Sequence, residues 1–105
     1  GLVHLQRGDI AEARNVLETA VERAPEHPEA LENLGSLYLN LEEESEAARY
    51  LERAAQVNPR SADVRAKLAL AYFRLEQYSR AEENARRALA LNPAQPLANQ
   101  ILQAL

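Results

Sequence analysis

The side chains that could do chemistry in this sequence are two histidines, one lysine and a tight run of carboxylates. His4 and His27 are the only imidazoles, and Lys67 is the only amine among 12 basic residues. Residues 41–48 read LEEESEAA, with Glu42, Glu43, Glu44 and Glu46 almost contiguous. Carboxylates at such density could hold a hard cation, which takes six or more converging oxygens. The run offers its oxygens along one stretch of chain, with no histidine nearby and no cysteine anywhere. Nucleophilic catalysis would need a serine or threonine spaced toward a base, and phosphate chemistry a glycine-rich loop. Neither pattern is present. The expectation is that these residues form no catalytic site and carry no cofactor or metal.

Composition narrows the classes further. The chain has 105 residues and a net charge of −4, from 12 basic and 16 acidic side chains. Nucleic-acid binders show a basic stripe, and the charges here are interspersed with the opposite balance, so no nucleic-acid partner is expected. No run of 18 apolar residues occurs, so no membrane insertion is expected. The chain opens on Gly1 without a methionine, which reads as a piece of a longer protein.

The elements that position these residues come from a repeat. Pro25, Pro59 and Pro93 stand 34 apart, as do Ala13, Ala47 and Ala81, and Ala20, Ala54 and Ala88. His4 aligns with Tyr38 and Tyr72, Gly1 with Gly35 and Ala69, and Leu17 with Leu51 and Ala85. Each period holds two amphipathic helices. Leu31, Leu34, Leu37, Tyr38 and Leu41 recur at steps of three and four, and so do Ala47, Ala48, Leu51, Ala54 and Ala55. A proline follows each second helix and stops it, because it disfavours helical geometry in the residue before it. The pattern predicts helices near 1–6, 10–24, 28–40, 44–57, 62–74, 78–91 and 96–104, and no strand.

With this register, Glu42-Glu43-Glu44 aligns with Gly8-Asp9-Ile10 and Glu76-Gln77-Tyr78 as the turn between the helices of one repeat. Asp9 and Glu12 read as a capping box. In the second copy Ser45 or Glu43 should cap, with the acids facing the positive helix end. Glu44 replaces Ile10 and Tyr78, residues expected to pack between helices. His4, in the tyrosine column, should pack rather than catalyse.

The chain resembles the tetratricopeptide repeat family, whose unit is a helix–turn–helix of 34 residues. The second copy carries its pattern at Leu31, Leu34-Gly35, Tyr38, Ala47, Leu51, Ala54 and Pro59. The third carries it at Leu68-Ala69, Tyr72, Tyr78, Ala81, Ala88 and Pro93. Arg65 departs from it, standing where a bulky apolar residue is usual. The resemblance implies an all-α, right-handed superhelical solenoid of antiparallel helix pairs. Its expected divisions are a truncated first repeat (1–27), a second (28–61), a third (62–95) and a partial fourth or capping helix (96–105).

The resemblance also implies a concave groove lined by the first helix of each repeat, binding a peptide segment of a protein partner. The expected groove residues are Leu5, Gln6, Asn33, Ser36, Leu39, Asn40, Lys67, Leu70, Phe73 and Arg74, an apolar stripe beside amides and cations. Some family members clamp the C-terminal dicarboxylate of heat-shock chaperones with lysine, asparagine and arginine. Asn33 and Lys67 fit that clamp, whereas Glu32 and Asp63 would repel a dicarboxylate. The alternative expectation is a structural spacer or self-assembly element of a larger, multi-repeat protein. Leu97, Ile101, Leu102 and Leu105 would then form an unpaired apolar face through which copies associate.

Overall fold

The structure, a computed structural model, describes residues 7–105, with side chains from Ile10 onward. Six helices follow one another in this span: α1 (Arg7–Arg23), α2 (Pro28–Asn40), α3 (Glu44–Val57), α4 (Ala62–Arg74), α5 (Tyr78–Leu91) and α6 (Pro96–Ala104). No strand occurs among the described residues. The expected boundaries of α2 to α6 are met at both ends. The expected helix over 1–6 lies outside the described residues.

Local chemistry repeats with the sequence. At each inter-repeat junction the residue before the first helix caps it. His27 Nδ1 accepts from the Ala30 N–H at 3.2 Å, Ser61 Oγ from Val64 at 3.2 Å, and Gln95 Oε1 from Ala98 at 2.8 Å. These three residues are 34 apart, and each satisfies a backbone donor the helix cannot satisfy itself. His27 is thus a helix cap.

The intra-repeat turns are closed by backbone. After α2, the N–H of Glu42 donates to Leu39 O at 3.1 Å and that of Glu43 to Tyr38 O at 2.9 Å. After α4, Glu76 donates to Phe73 O at 3.0 Å and Gln77 to Tyr72 O at 2.9 Å. This paired pattern ends a helix with one left-handed residue. Here that residue is Glu42 (φ 59°) and Glu76 (φ 62°). The acidic run therefore divides its labour: Glu42 terminates α2 and Glu44 and Glu46 occupy the first turn of α3. Glu43 takes the N-cap position of α3 but makes no side-chain cap bond, and Ser45 lies inside the helix.

One turn differs from expectation. Gly8-Asp9-Ile10 is helical and lies within α1. Asp9 is then inside the helix rather than at its cap, so the expected capping box with Glu12 is not formed. No proline stands at 7–10 to stop the helix.

The core runs through the array without a break. Leu31, Leu34, Leu51 and Leu68 are fully buried, each worth roughly 1.5–3 kcal/mol of transfer free energy. Between them lie Ala47, Ala54, Ala66, Ala69, Ala71, Ala81, Ala85 and Ala88, all with no exposed surface, which lets helix axes approach closely. Each helix packs on the next, and α4 also touches α2 and α6. Among the described residues the backbone of α3 approaches neither that of α1 nor that of α5 closely. The first helices of the repeats therefore form the tighter inner layer and the second helices the looser outer one, which curves the array toward the first helices. Leu97, Ile101 and Leu102 pack into the core, with Ile101 buried. The expected unpaired face on α6 is thus corrected in part: Ile101 is buried and Leu97 and Leu102 are half-buried against the core, while Leu105 is exposed.

Candidate functional site

The inner layer is built by α2, α4 and α6, whose 34-residue register brings corresponding side chains alongside one another. Leu5 and Gln6 lie outside the described residues. Of the other expected groove residues, Asn33, Asn40 and Arg74 are exposed, Ser36, Lys67, Leu70 and Phe73 are half-buried, and Leu39 is buried at 6% exposure. Leu39 therefore packs between helices and offers little surface.

Two polar links cross this layer from α4 to α2. Lys67 Nζ lies 2.8 Å from Glu32 Oε2, and Arg74 Nη1 donates to the Leu39 carbonyl at 3.1 Å. Both span one repeat step plus one residue, so each fastens a helix to its predecessor. The Lys67 charge is neutralised in this pairing. Farther along, Gln95 Nε2 donates to Asp63 Oδ1 at 3.1 Å, tying the start of α6 to α4. Ser36 Oγ is enclosed and has no hydrogen-bond partner.

At the far end of the layer a cleft of about 530 Å³ opens between α4, α5 and α6. Phe73, Tyr78, Ala104 and Leu105 form its apolar wall, with Ser79 and Glu82 at its rim. Phe73 and Tyr78 meet edge to face, with ring centroids 5.6 Å apart and planes 69° apart. Such a pair gains from the ring quadrupoles. Tyr78 is 49% exposed, so it borders this cleft instead of filling the space between helices. The sequence signal for that role was available in Tyr78 following Phe73 across a tight turn.

On the outer side, buried phenols link each first helix to the preceding second helix. Tyr38 donates to Glu18 Oε1, and Tyr72 donates to Glu52 Oε1 at 2.7 Å. Burial, reinforced by the adjacent carboxylate, pushes both phenols above their ordinary range. No three His, Asp or Glu side chains are gathered to hold a metal ion among the described residues. No described helix is long and apolar enough to cross a membrane.

Comparison with known proteins agrees with this architecture. Crystallised MamA superposes with a TM-score of 0.85 at 22% identity, covering 93% of this chain and 60% of that one. The first TPR of Spaghetti (RPAP3), bound to the HSP90 peptide SRMEEVD, gives 0.83 at 24% identity, covering 93% and 81%. The Sgt2 TPR domain from Aspergillus fumigatus gives 0.84 at 24% identity, covering 93% and 66%. The chain thus spans about three fifths of MamA. No curated protein sequence matches it. Two family models, both described as tetratricopeptide repeat, match residues 1–63 and 62–95. The chain belongs to the tetratricopeptide repeat family.

Proposed function

We propose that this chain is a protein–protein interaction module that receives a segment of a partner along its inner layer, and that it has no catalytic activity of its own. The carrying observation is the cleft beside Phe73 and Tyr78, at the end of the layer that also carries half-buried Leu70 and exposed Arg74 and Asn40. An apolar side chain of the partner would seat against the aromatic pair. Exposed amides at Asn33 and Asn40 would bond its backbone, the usual division between anchors and polar contacts in peptide grooves. Support also comes from the fold relative that holds the HSP90 peptide SRMEEVD.

The ligand should differ from such an acidic peptide. Lys67 is committed to Glu32, and Asp63 adds a second carboxylate to the same layer. A dicarboxylate would have to displace an internal ion pair and meet like charge, which costs rather than gains free energy. Self-assembly through α6 has less to rest on, because Ile101 is buried and Leu97 and Leu102 are partly packed against the core.

The test is capture of partners with the wild-type chain and with Phe73→Ala/Asn40→Ala. The double variant should lose a partner held by the wild type, with roughly tenfold or greater weakening, as for loss of an aromatic anchor. Equal retention by both proteins would sink the groove reading.

A further inference from the structure

On its outer side the array builds one cleft twice, with opposite chemistry. In the first instance Tyr38 stacks on Tyr50, centroids 5.7 Å apart and planes 5° from parallel, and Arg53 lies 5.7 Å from the Tyr50 centroid. Glu18, Glu22 and Glu46 line that site with Arg53 as its one lining arginine, and Arg49 also lies 5.7 Å from the Tyr50 centroid. Moving 34 residues along, Tyr38 becomes Tyr72, Glu18 becomes Glu52 and Arg53 becomes Arg87. Tyr50, however, becomes Asn84, and Glu46 becomes Arg80. Arg65 enters where the second repeat has Leu31.

The second cleft, of about 360 Å³, therefore has three arginines against two glutamates. Both glutamates are engaged: Glu83 pairs with Arg87 at 2.9 Å, and Glu52 accepts the Tyr72 hydroxyl at 2.7 Å. Among the described residues Arg65 and Arg80 have no carboxylate partner. Arg65 Nη1 donates to Asn84 Oδ1 at 3.1 Å, and Asn84, itself 7% exposed, is fixed by donating to the Arg80 carbonyl at 2.9 Å. That single bond leaves most of the guanidinium's five donors unused. The Arg80 guanidinium lies 5.6 Å from the Tyr72 ring centroid. At 100° per residue, Arg65 and Tyr72 fall on the side of α4 opposite Asp63, Lys67, Leu70 and Arg74, so this cleft is separate from the groove.

We propose that this cleft binds an oxyanion, a phosphate or carboxylate group, held by Arg65 and Arg80. Guanidinium groups match both oxyanions in fork geometry. The site is independent of the groove, and its occupant can be a different molecule.

NMR titration of the isotopically labelled chain with phenyl phosphate and, separately, benzoate tests this. Saturable shifts are expected at Tyr72 and at the Arg65 and Arg80 side-chain N–H groups, weakening as salt is added. A response to phenyl phosphate alone assigns a phosphate site, and to benzoate alone a carboxylate site. Arg80→Glu and Asn84→Tyr each install the residue that the second repeat already folds with. Each should weaken binding about tenfold, the order of one lost charge-assisted bond. Phe73→Ala should leave it unchanged. Absence of saturation with both probes, or equal binding by the wild type and both of these cleft variants, overturns the proposal.

Discussion

Glu42 and Glu76 hold left-handed backbone without the residue that adopts it most readily. Their φ values are 59° and 62°, and the first copy has Gly8 at the same register position. A side chain in this region crowds the following carbonyl, at roughly 1–2 kcal/mol. Glycine removes that crowding but adds entropy to the unfolded chain. Glu42→Gly and Glu76→Gly should each therefore stabilise by a net of roughly 0.5–1 kcal/mol, raising Tm by about 2–8 °C for a domain of this size. Thermal melts followed by circular dichroism would check it, and a lowered Tm in both variants would show that these glutamates hold partners worth more than the strain. The same scale explains why the acidic run tempts a metal-site reading. Its four carboxylates belong to a helix C-terminus, an N-cap position and a first turn, so the backbone spreads them instead of converging them. Glu43 lies 3.8 Å from Arg14 and Glu46 3.8 Å from Arg49, both exposed pairs of little energetic weight.

Between elements, the α2–α3 contact depends on one absent methyl. A Cβ on Gly35 would meet Leu51 Cγ at 2.6 Å and Cδ2 at 2.8 Å. Leu51 has no exposed surface and no room to retreat. The third repeat solves the same contact with Ala69 against Ala85, both fully buried. Gly35→Ala should destabilise by roughly 1–3 kcal/mol through overpacking, outweighing the ~1 kcal/mol it gains in helix propensity. Leu51→Ala alone should cost about 2–5 kcal/mol by leaving a cavity. The double variant should cost clearly less than the sum, because it recreates the third-repeat pair. Urea titrations of the four proteins measure the coupling, and strict additivity would mean that the two side chains do not share this space. The helix limits of α2 to α6 were legible because Pro25, Pro59 and Pro93 punctuate a period that the apolar residues also keep. The helicity of Gly8-Asp9-Ile10 was not, since these residues read as a turn only by analogy with Glu42-Glu43-Glu44 and Glu76-Gln77-Tyr78. The groove columns followed from register alone. Their accessibility did not: the burial of Leu39 and the Lys67–Glu32 pairing depend on how neighbouring repeats settle. The outer cleft announced itself only as Arg65 breaking the apolar pattern, with nothing in the spacing to show that Asn84 would face it.

Across the first three repeats, successive copies are joined by the same outer link, a buried phenol donating to a glutamate of the preceding helix. Tyr38 and Tyr72 are 6% and 7% exposed, and both phenols lie above the ordinary value of about 10. The folded chain therefore holds these protons more tightly than the unfolded chain does. The unfolded state begins to lose them near pH 10, so the stability tied to the raised values is fully present below that pH and declines as pH climbs beyond it. Because each repeat touches only its neighbours, losing either link weakens an interface through which folding propagates. Urea unfolding at pH 8 and pH 11 should show the wild type much less stable at the higher pH. Tyr38→Phe/Tyr72→Phe should start lower at pH 8, by roughly 1–3 kcal/mol for each bond to a charged acceptor. Its loss between the two pH values should be shallower, since the two titrating groups with raised values are gone. An equally steep alkaline loss in the double variant would mean that these phenol–glutamate links do not govern how the repeats hold together.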